Sequence, residues 1–508
     1  MDVDVVIVGA GPNGLLLAGE LSLLGLRPVV LERLRERTGE PRANGVIGRV
    51  VQALDLRGLH DRLSGGEPLG EPGRYFQFGG LALDLGALAD NPLHGLRIPQ
   101  PRLEALLEEW AVERGARLRR GHEFAGFAQD DDGVRVDVRG PDGAAYAVTA
   151  AYLVGCDGAS SSVRKLAGIG FPGTTDEHFV SRSGDVVLPG SAFADELGSI
   201  DAPGQRMFPF AFNRTERGAF VYAPFQPGVH RVAVHEWRQP PADPDAPLTP
   251  AELRAAVTRV TGVDLPMTRP DSDAPLAWRR RVGMHSRQAE RYRDGRVLLA
   301  GDAAHVHSSV GAPGLNLGMQ DVFNLGWKLA ATVLGRAPRD LLDTYERERH
   351  PAGARVLMQT RAQTALLAPG AEVTALRELF GELLDEPAVL RRLAELLAGA
   401  DLRYEMPGGG DHPLVGGWMP ELHLGTPAAR SRLAAAQHRA RPVLLDFAGG
   451  VALAGWQDRV DLVRADAEDP PADAILVRPD GYVAWAGSDT GELTRALRTW
   501  FGEPADAG

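Results

Sequence analysis

A single cysteine, Cys156, among 508 residues excludes an internal disulfide framework, and its setting in an apolar run is that of a small packed side chain. Lysine is nearly absent: Lys165 and Lys328 are the only two, which leaves 53 of the 55 basic residues as arginine. No apolar run approaches the ~18 residues that a membrane-spanning helix needs, and no basic segment precedes the first strand-like run, so neither a membrane anchor nor a signal peptide is expected. The net charge of −12 disfavours nucleic acid as a partner. A cytoplasmic protein is the expectation. At 508 residues and 44% hydrophobic content, two or three domains are expected.

What is present begins at once. Asp4 to Val8 reads as a buried strand, followed by Gly9-Ala10-Gly11-Pro12-Asn13-Gly14, a helix pattern to about Leu24, and a second strand, Arg27 to Leu31, that ends in Glu32 and Arg33. Each part has a mechanical role in binding a dinucleotide. Gly9 permits a tight turn, Gly11 lets the backbone approach a pyrophosphate, and Gly14 lets helix and strand pack closely. The helix N-terminus offers free N–H groups to phosphate, and Glu32 can accept from a ribose. Strand, turn, helix, strand and acid in this order point to an adenine dinucleotide.

Two later motifs narrow the choice. Tyr152 to Arg164 reads as strand, turn and helix start around Asp157-Gly158, and Val297 to His305 delivers Gly301-Asp302 from another buried strand. Gly314-Leu315-Asn316 then opens a long helix to about Leu334. Together the three motifs resemble those of the class A flavoprotein monooxygenases, the family of para-hydroxybenzoate hydroxylase, over roughly residues 1–360. The phrases Val30-Leu31-Glu32-Arg33, Glu36 to Glu40, Ile98-Pro99-Gln100, Leu118 to His122 and Gln288 to Tyr292 are similar to the aromatic polyketide (angucycline, anthracycline, tetracycline) hydroxylases of actinomycetes, and the arginine bias fits a GC-rich source.

The resemblance implies an α/β fold: a Rossmann-like FAD domain in two parts, 1–172 and 273–400, with an inserted mixed β-sheet substrate domain at 173–272. A Gly/Pro linker, Pro407 to Gly417, leads to a unit at 401–508 similar to the thioredoxin-like end of these hydroxylases. With no cysteine after Cys156, that unit cannot be redox-active. Monomer and homodimer both remain open.

The resemblance also implies non-covalent FAD, reduced by NADPH (or NADH) bound transiently, since Gly65 to Gly70 forms no second Rossmann fingerprint. O₂ then gives a flavin C4a-hydroperoxide that oxygenates a polycyclic aromatic substrate. Arg42 falls where relatives carry an arginine near the mobile flavin; Gln100 and Arg102 fall where relatives touch ribityl and phosphate; Asp157 and Gly158 are associated with both cofactors, and Asp302 with the ribityl chain. The helix opening at Pro313 and Gly314 should face the pyrimidine ring and stabilise its negative charge. Relatives carry prolines where this chain has Ser308-Ser309, with Pro313 appearing in the turn, so Ser309 and Pro313 join Arg42 as catalytic candidates. His305 and His307 alternate on this loop without a ligand cluster, and no metal is expected. Phe208, Phe210, Phe212, Tyr222, Phe225 and Trp237 are candidate walls for a flat polycycle.

A flavin halogenase is disfavoured, because W-x-W is absent and both lysines lie in nucleotide-motif helices. Baeyer–Villiger and rifampicin-type antibiotic-inactivating oxygenation stay open, as does a non-enzymatic FAD-binding protein.

Overall fold

The computed structural model describes residues 1–508 apart from 241, 242, 244, 245, 273, 274, 425–430, 468 and 506–508. Its N-terminal half is built on a six-stranded sheet in the order Arg293–Asp294, Val297–Leu299, Tyr152–Gly155, Val5–Val8, Pro28–Glu32, Arg117–Arg120. The five strands from Val297–Leu299 onward run parallel. Val5–Val8 and Tyr152–Gly155 are buried at every position, as continuous apolar runs covered on both faces must be. The three nucleotide motifs therefore leave neighbouring strands at their C-terminal ends, where parallel α/β sheets bind ligands.

The helix Pro12–Leu23 starts with proline in its first turn, and the helix Pro313–Val333 does the same; proline costs nothing there because its missing N–H would have no acceptor. A second six-stranded sheet, antiparallel, has the order Asn213–Thr215, Gly218–Gln226, Val229–Glu236, Gly173–Val186, Trp278–Gln288, His305–Val306. One face packs on the helix Pro250–Thr261 through Phe220, Tyr222, Val232, Val234, Leu253 and Val257. The other face carries the alternate residues and looks toward Val310 and Leu367.

Three expectations change. The inserted sheet does not end near 272: Trp278–Gln288 pairs with Gly173–Val186 along its length. The strand reads Trp-Arg-Arg-Arg-Val-Gly-Met-His-Ser-Arg-Gln, with no apolar alternation to reveal it. Met207 to Phe212, whose aromatic run in the sequence reads as a strand of the inserted sheet, is not one; only Gln205–Met207 pairs, and Phe210 turns the chain at φ 61°. Pro407 to Gly417 is not a free linker, since Gly416 donates to Val483 O and its own carbonyl accepts from Tyr404 N.

The C-terminal unit is a four-stranded sheet, ordered Asp461–Arg464, Val443–Asp446, Ala474–Val477, Val483–Gly487, closed by the helix Thr490–Phe501. Its first pair is parallel and the others antiparallel. It is fastened to the rest by buried charge: Arg478 meets Glu348 at 2.7 Å, and Lys328 meets the same carboxylate at 2.8 Å. No helix among the described residues is long and apolar enough to cross a membrane.

Candidate functional site

The turn after Val5–Val8 is set by sterics. Gly9 has φ 104°, and a Cβ there would stand 2.5 Å from Cys156 O; a Cβ on Gly14 would stand 2.0 Å from Gly9 O. At Gly11 a Cβ would meet nothing within 4 Å, so the backbone borders open space at the helix N-terminus. The first intrahelical bond is donated by Leu15 to Gly11 O, leaving the N–H groups of Asn13 and Gly14 free for an anion.

Asn13 does more than expected. Its amide is wedged between two glycines, since a Cβ on Gly301 or Gly318 would come within 2.1 or 2.2 Å of Asn13 Nδ2. It thus locks the first motif to the Gly-Asp turn and to the helix Pro313–Val333, while its buried Oδ1 finds no partner among the described residues. Glu32 receives the N–H of Ala10 and of Leu34, each at 2.9 Å, which pins its carboxylate beside the turn. Arg33 and Arg102 are exposed.

Asp302 is exposed and has no hydrogen-bond or ion-pair partner among the described residues, although the turn that carries it is pinned by its neighbours. Gly301 N donates to Asp321 at 3.2 Å, His305 Nε2 lies 2.7 Å from the same carboxylate, and Arg349 Nε donates to it at 2.8 Å. Arg349 continues to the Tyr404 hydroxyl at 2.9 Å. Burial raises the Asp321 carboxyl, but the Arg349 and His305 charges outweigh it and hold the group below its ordinary range. Sequence reading passed over this network; its signal was an acid on an otherwise apolar helix face.

Asp157 is placed as a cap. Its carboxylate accepts from Ser161 Oγ at 2.5 Å and from the N–H groups of Ser162 and Val163 at 2.7 and 3.2 Å, which satisfies the start of the helix Ser162–Leu166. Arg164 then reaches Ala303 O at 2.8 Å, tying this motif to the Gly-Asp turn. Gly158 is left-handed, at φ 80°.

Gln100 bridges the loop before it: Ala43 N donates to its Oε1 at 3.2 Å, and its Nε2 donates to Glu104 at 2.8 Å. Arg42 is exposed and lies 3.4 Å from Glu40, which also meets Arg279 at 3.2 Å. At the helix Pro313–Val333, the N-cap Ala312 is left-handed (φ 54°) and its carbonyl accepts from Asn316 Nδ2 at 2.9 Å. Asn316 Oδ1 accepts from Ile47 N at 2.9 Å, so the first turn, with Gly314 and Leu315, is fixed against the Arg42 side of the cleft. Pro313 is buried and Ser309 exposed. His307, half-buried beside Gly314, is pushed down to about 4 by desolvation and is neutral near pH 7.

The aromatic candidates divide by strand alternation. Tyr222 is fully buried on the helix side, its hydroxyl donating to Gly198 O at 2.7 Å and Met207 O at 3.0 Å; it is core, not wall. Phe225 lies at a register break between Pro224 and Gln226 on the same strand; its ring sits 5.5 Å from the guanidinium of Arg231, a residue of the opposite face, and meets Phe210 edge-on at 5.8 Å. Phe212 and Trp237 pack against the small Ala219–Val310–Leu367 cluster on that face. Phe208 is 48% exposed, and its backbone is held by Asn213 at 2.8 Å. The structure thus brings Phe210, Phe212, Phe225 and Trp237 to the cleft side.

An open helix N-terminus, an orphaned buried Asn13 oxygen, a pinned Glu32 and a free Asp302 on a rigid turn fit the pyrophosphate, ribose and ribityl groups of FAD. A family model described as FAD binding domain matches residues 2–360, and one described as aromatic-ring hydroxylase, C-terminal, matches residues 412–504. The chain is 46% identical over 519 residues to a 12-dehydrotetracycline 5-monooxygenase/anhydrotetracycline 6-monooxygenase of Streptomyces rimosus, covering 99% of this chain and 100% of that one. It is 41% identical over 506 residues to a rifampicin monooxygenase of Streptomyces venezuelae, covering 98% of each. The crystal structure of an aromatic hydroxylase from angucycline biosynthesis superposes with a TM-score of 0.85 at 42% identity, covering 99% of this chain and 100% of that one.

Proposed function

Because the chain belongs to the FAD-binding aromatic-ring hydroxylase family, we propose that it hydroxylates a planar polycyclic aromatic compound of the polyketide type, consuming NADPH or NADH and O₂. The observation that carries the substrate reading is a juxtaposition. The nucleotide cradle and the open face of the antiparallel sheet meet at one loop, in which Val310 packs on Ala219 of the sheet and the next helix turn holds Gly314 and Asn316. Bound in the cradle, FAD supplies the activation of O₂ with electrons from the nicotinamide donor.

The chain's own residues do the rest. The free N–H groups at Gly314 and Leu315 present a positive helix end to the ring system, Asp302 holds a hydroxyl-bearing chain, and Arg42 guards the mouth of the cleft. Burial keeps His307 neutral behind Gly314, so it adds no charge at the reacting centre. Phe210, Phe225 and Trp237 supply apolar walls that orient a flat substrate and exclude water. The proposed division follows the sheets: FAD-binding parts at 1–172 and from about 289 to 400, a substrate insert from Gly173 to Gln288, and a C-terminal unit whose strand order supports a thioredoxin-like reading without redox cysteines.

The test is mass spectrometry of products after incubating FAD-loaded protein with NADPH under ¹⁸O₂ and either anhydrotetracycline or a panel of angucyclinones. One labelled oxygen on an intact ring system is the expected result. Labelled oxygen beside a carbonyl with ring expansion would move the assignment to Baeyer–Villiger chemistry. Absence of both product and substrate-stimulated NADPH oxidation, with a rifamycin included, would leave a non-enzymatic flavoprotein.

A further inference from the structure

Strand register defines the open face of the inserted sheet residue by residue. Ala219 pairs His235, which pairs Ser181, which pairs Arg281; one step along, Val221, Ala233, Ser183 and Arg279 form the next row. Because side chains alternate, all of these share the face opposite the buried Phe220, Tyr222, Val232 and Val234. The middle of the face is therefore a floor of small groups, Ser181, Ser183, Ala219, Val221, Ala223 and Ala233, with arginines along one edge.

The edge carries excess positive charge in a chain whose net charge is −12. Arg231 is neutralised by Asp185 through contacts of 2.8 and 3.1 Å. Glu40 is shared between Arg279 and Arg42, and Arg279 also donates to Pro41 O at 2.9 Å. Glu104, the other acid on this side, is raised from its ordinary range by burial and accepts from Gln100 Nε2 at 2.8 Å. Arg281 has no hydrogen-bond or ion-pair partner among the described residues. Beside it His235, packed between Phe179 and Phe212, is held down to about 4 by burial and by the Arg281 charge, and its buried Nδ1 finds no partner among the described residues. An unpaired arginine next to a neutral, under-satisfied imidazole on an open floor is a site built to receive an anion.

We propose that this floor takes its polycyclic substrate with one phenolic or enolic oxygen ionised, that oxygen lying against Arg281 and Arg279. The proposal rests on the reading of the floor as the substrate site. Arg281 and Arg279 are then positioning and specificity residues: they select the deprotonated, electron-rich form of a flat phenol and fix its rotation on a surface otherwise without landmarks. A guanidinium suits this task, since its charge persists at any working pH and its fork can bridge a phenolate and the neighbouring carbonyl.

Alizarin, a hydroxyanthraquinone dye that reddens on losing its first phenolic proton, tests this on the FAD-loaded protein. The dye is titrated from mildly acid to mildly alkaline pH and followed at wavelengths beyond flavin absorption. The bound dye is expected to ionise about one unit or more below the free dye, a tenfold or greater preference for the anion. R281Q should remove much of that shift, and R281Q with R279Q should abolish it while the dye still binds, more weakly, to the apolar floor. Arg281 supports no other group, so R281Q tests the charge without loosening the fold.

No binding, an unchanged dye pKa, or a shift that survives in the double variant overturns the proposal. So does a raised KM for NADPH in the double variant with the dye shift intact, which would assign these arginines to the phosphates of the reductant. Dye shift without oxygenation of any substrate would retract the proposed reaction and leave this site standing; oxygenation with no dye shift would do the reverse.

Discussion

Asp321 and Arg349, both fully buried, hold each other at 2.8 Å directly beneath the turn that presents Asp302. Asp321 also takes the N–H of Gly301 and the ring of His305, so one carboxylate joins the Gly-Asp turn to two long helices. Removing it leaves Arg349 charged and unpaired in the interior. D321A is expected to lose about 3–5 kcal/mol of stability and most of its flavin. Urea unfolding and the flavin-to-protein absorbance ratio report the two effects, and a variant with wild-type values for both would remove the network from the description of the site.

Asp302 predicts the opposite split. It is exposed and has no hydrogen-bond or ion-pair partner among the described residues, so D302A should leave the unfolding of the flavin-free protein unchanged. Losing its acceptor for a ribityl hydroxyl should weaken FAD by roughly 1–3 kcal/mol, or about five- to 150-fold in Kd. Flavin fluorescence titration measures this. Undiminished affinity would show that the turn, and not the carboxylate, holds the cofactor.

The flavin should leave on acid precipitation. A covalent link would need a nucleophile, and the one thiol, Cys156, sits behind Gly14 with its pKa pushed well above the ordinary range by burial. Yellow colour retained in the washed protein pellet would contradict this.

His235 makes the inserted sheet acid-sensitive. Its folded value, about 4, lies below the 6.5 of an unperturbed imidazole, so the unfolded chain takes up the proton first as pH falls. The stability it contributes is complete above about 6.5 and is lost progressively toward about 4, to a total of roughly 3 kcal/mol. Thermal unfolding at a series of pH values across that window should show a steeper decline for the wild type than for H235N. Parallel curves would mean that His235 is not buried neutral.

Much of the nucleotide fold was legible because it depends on local rules: apolar runs for buried strands, glycines where a Cβ has no room, proline at helix starts. Gly9 and Gly14 could be read for that reason. Trp278–Gln288 could not, since a strand of arginines exposes no alternation and gains its place only from pairing with Gly173–Val186. The wedge of Asn13 between Gly301 and Gly318 joins residues about three hundred apart in sequence, which no local pattern encodes. Asp157 showed the converse: a motif associated with cofactors whose carboxylate is spent on capping its own helix.

Adjacent residues on one strand give the sharpest test of which face is the floor. Val221 lies on the open face, half-buried, opposite Ala233, whereas Tyr222 is fully buried on the helix side. V221W places an indole on the floor and should raise the KM for a polycyclic substrate tenfold or more, with FAD content and thermal stability nearly unchanged, because its bulk enters the cleft and not the core. Y222F removes a hydroxyl that donates to two carbonyls, Gly198 O and Met207 O, and should cost about 1–3 kcal/mol of stability while leaving KM within about twofold. Steady-state kinetics and thermal unfolding of both variants decide the matter. If Y222F changes KM and V221W does not, the substrate lies on the other side of the sheet, and the small-residue floor is ordinary packing.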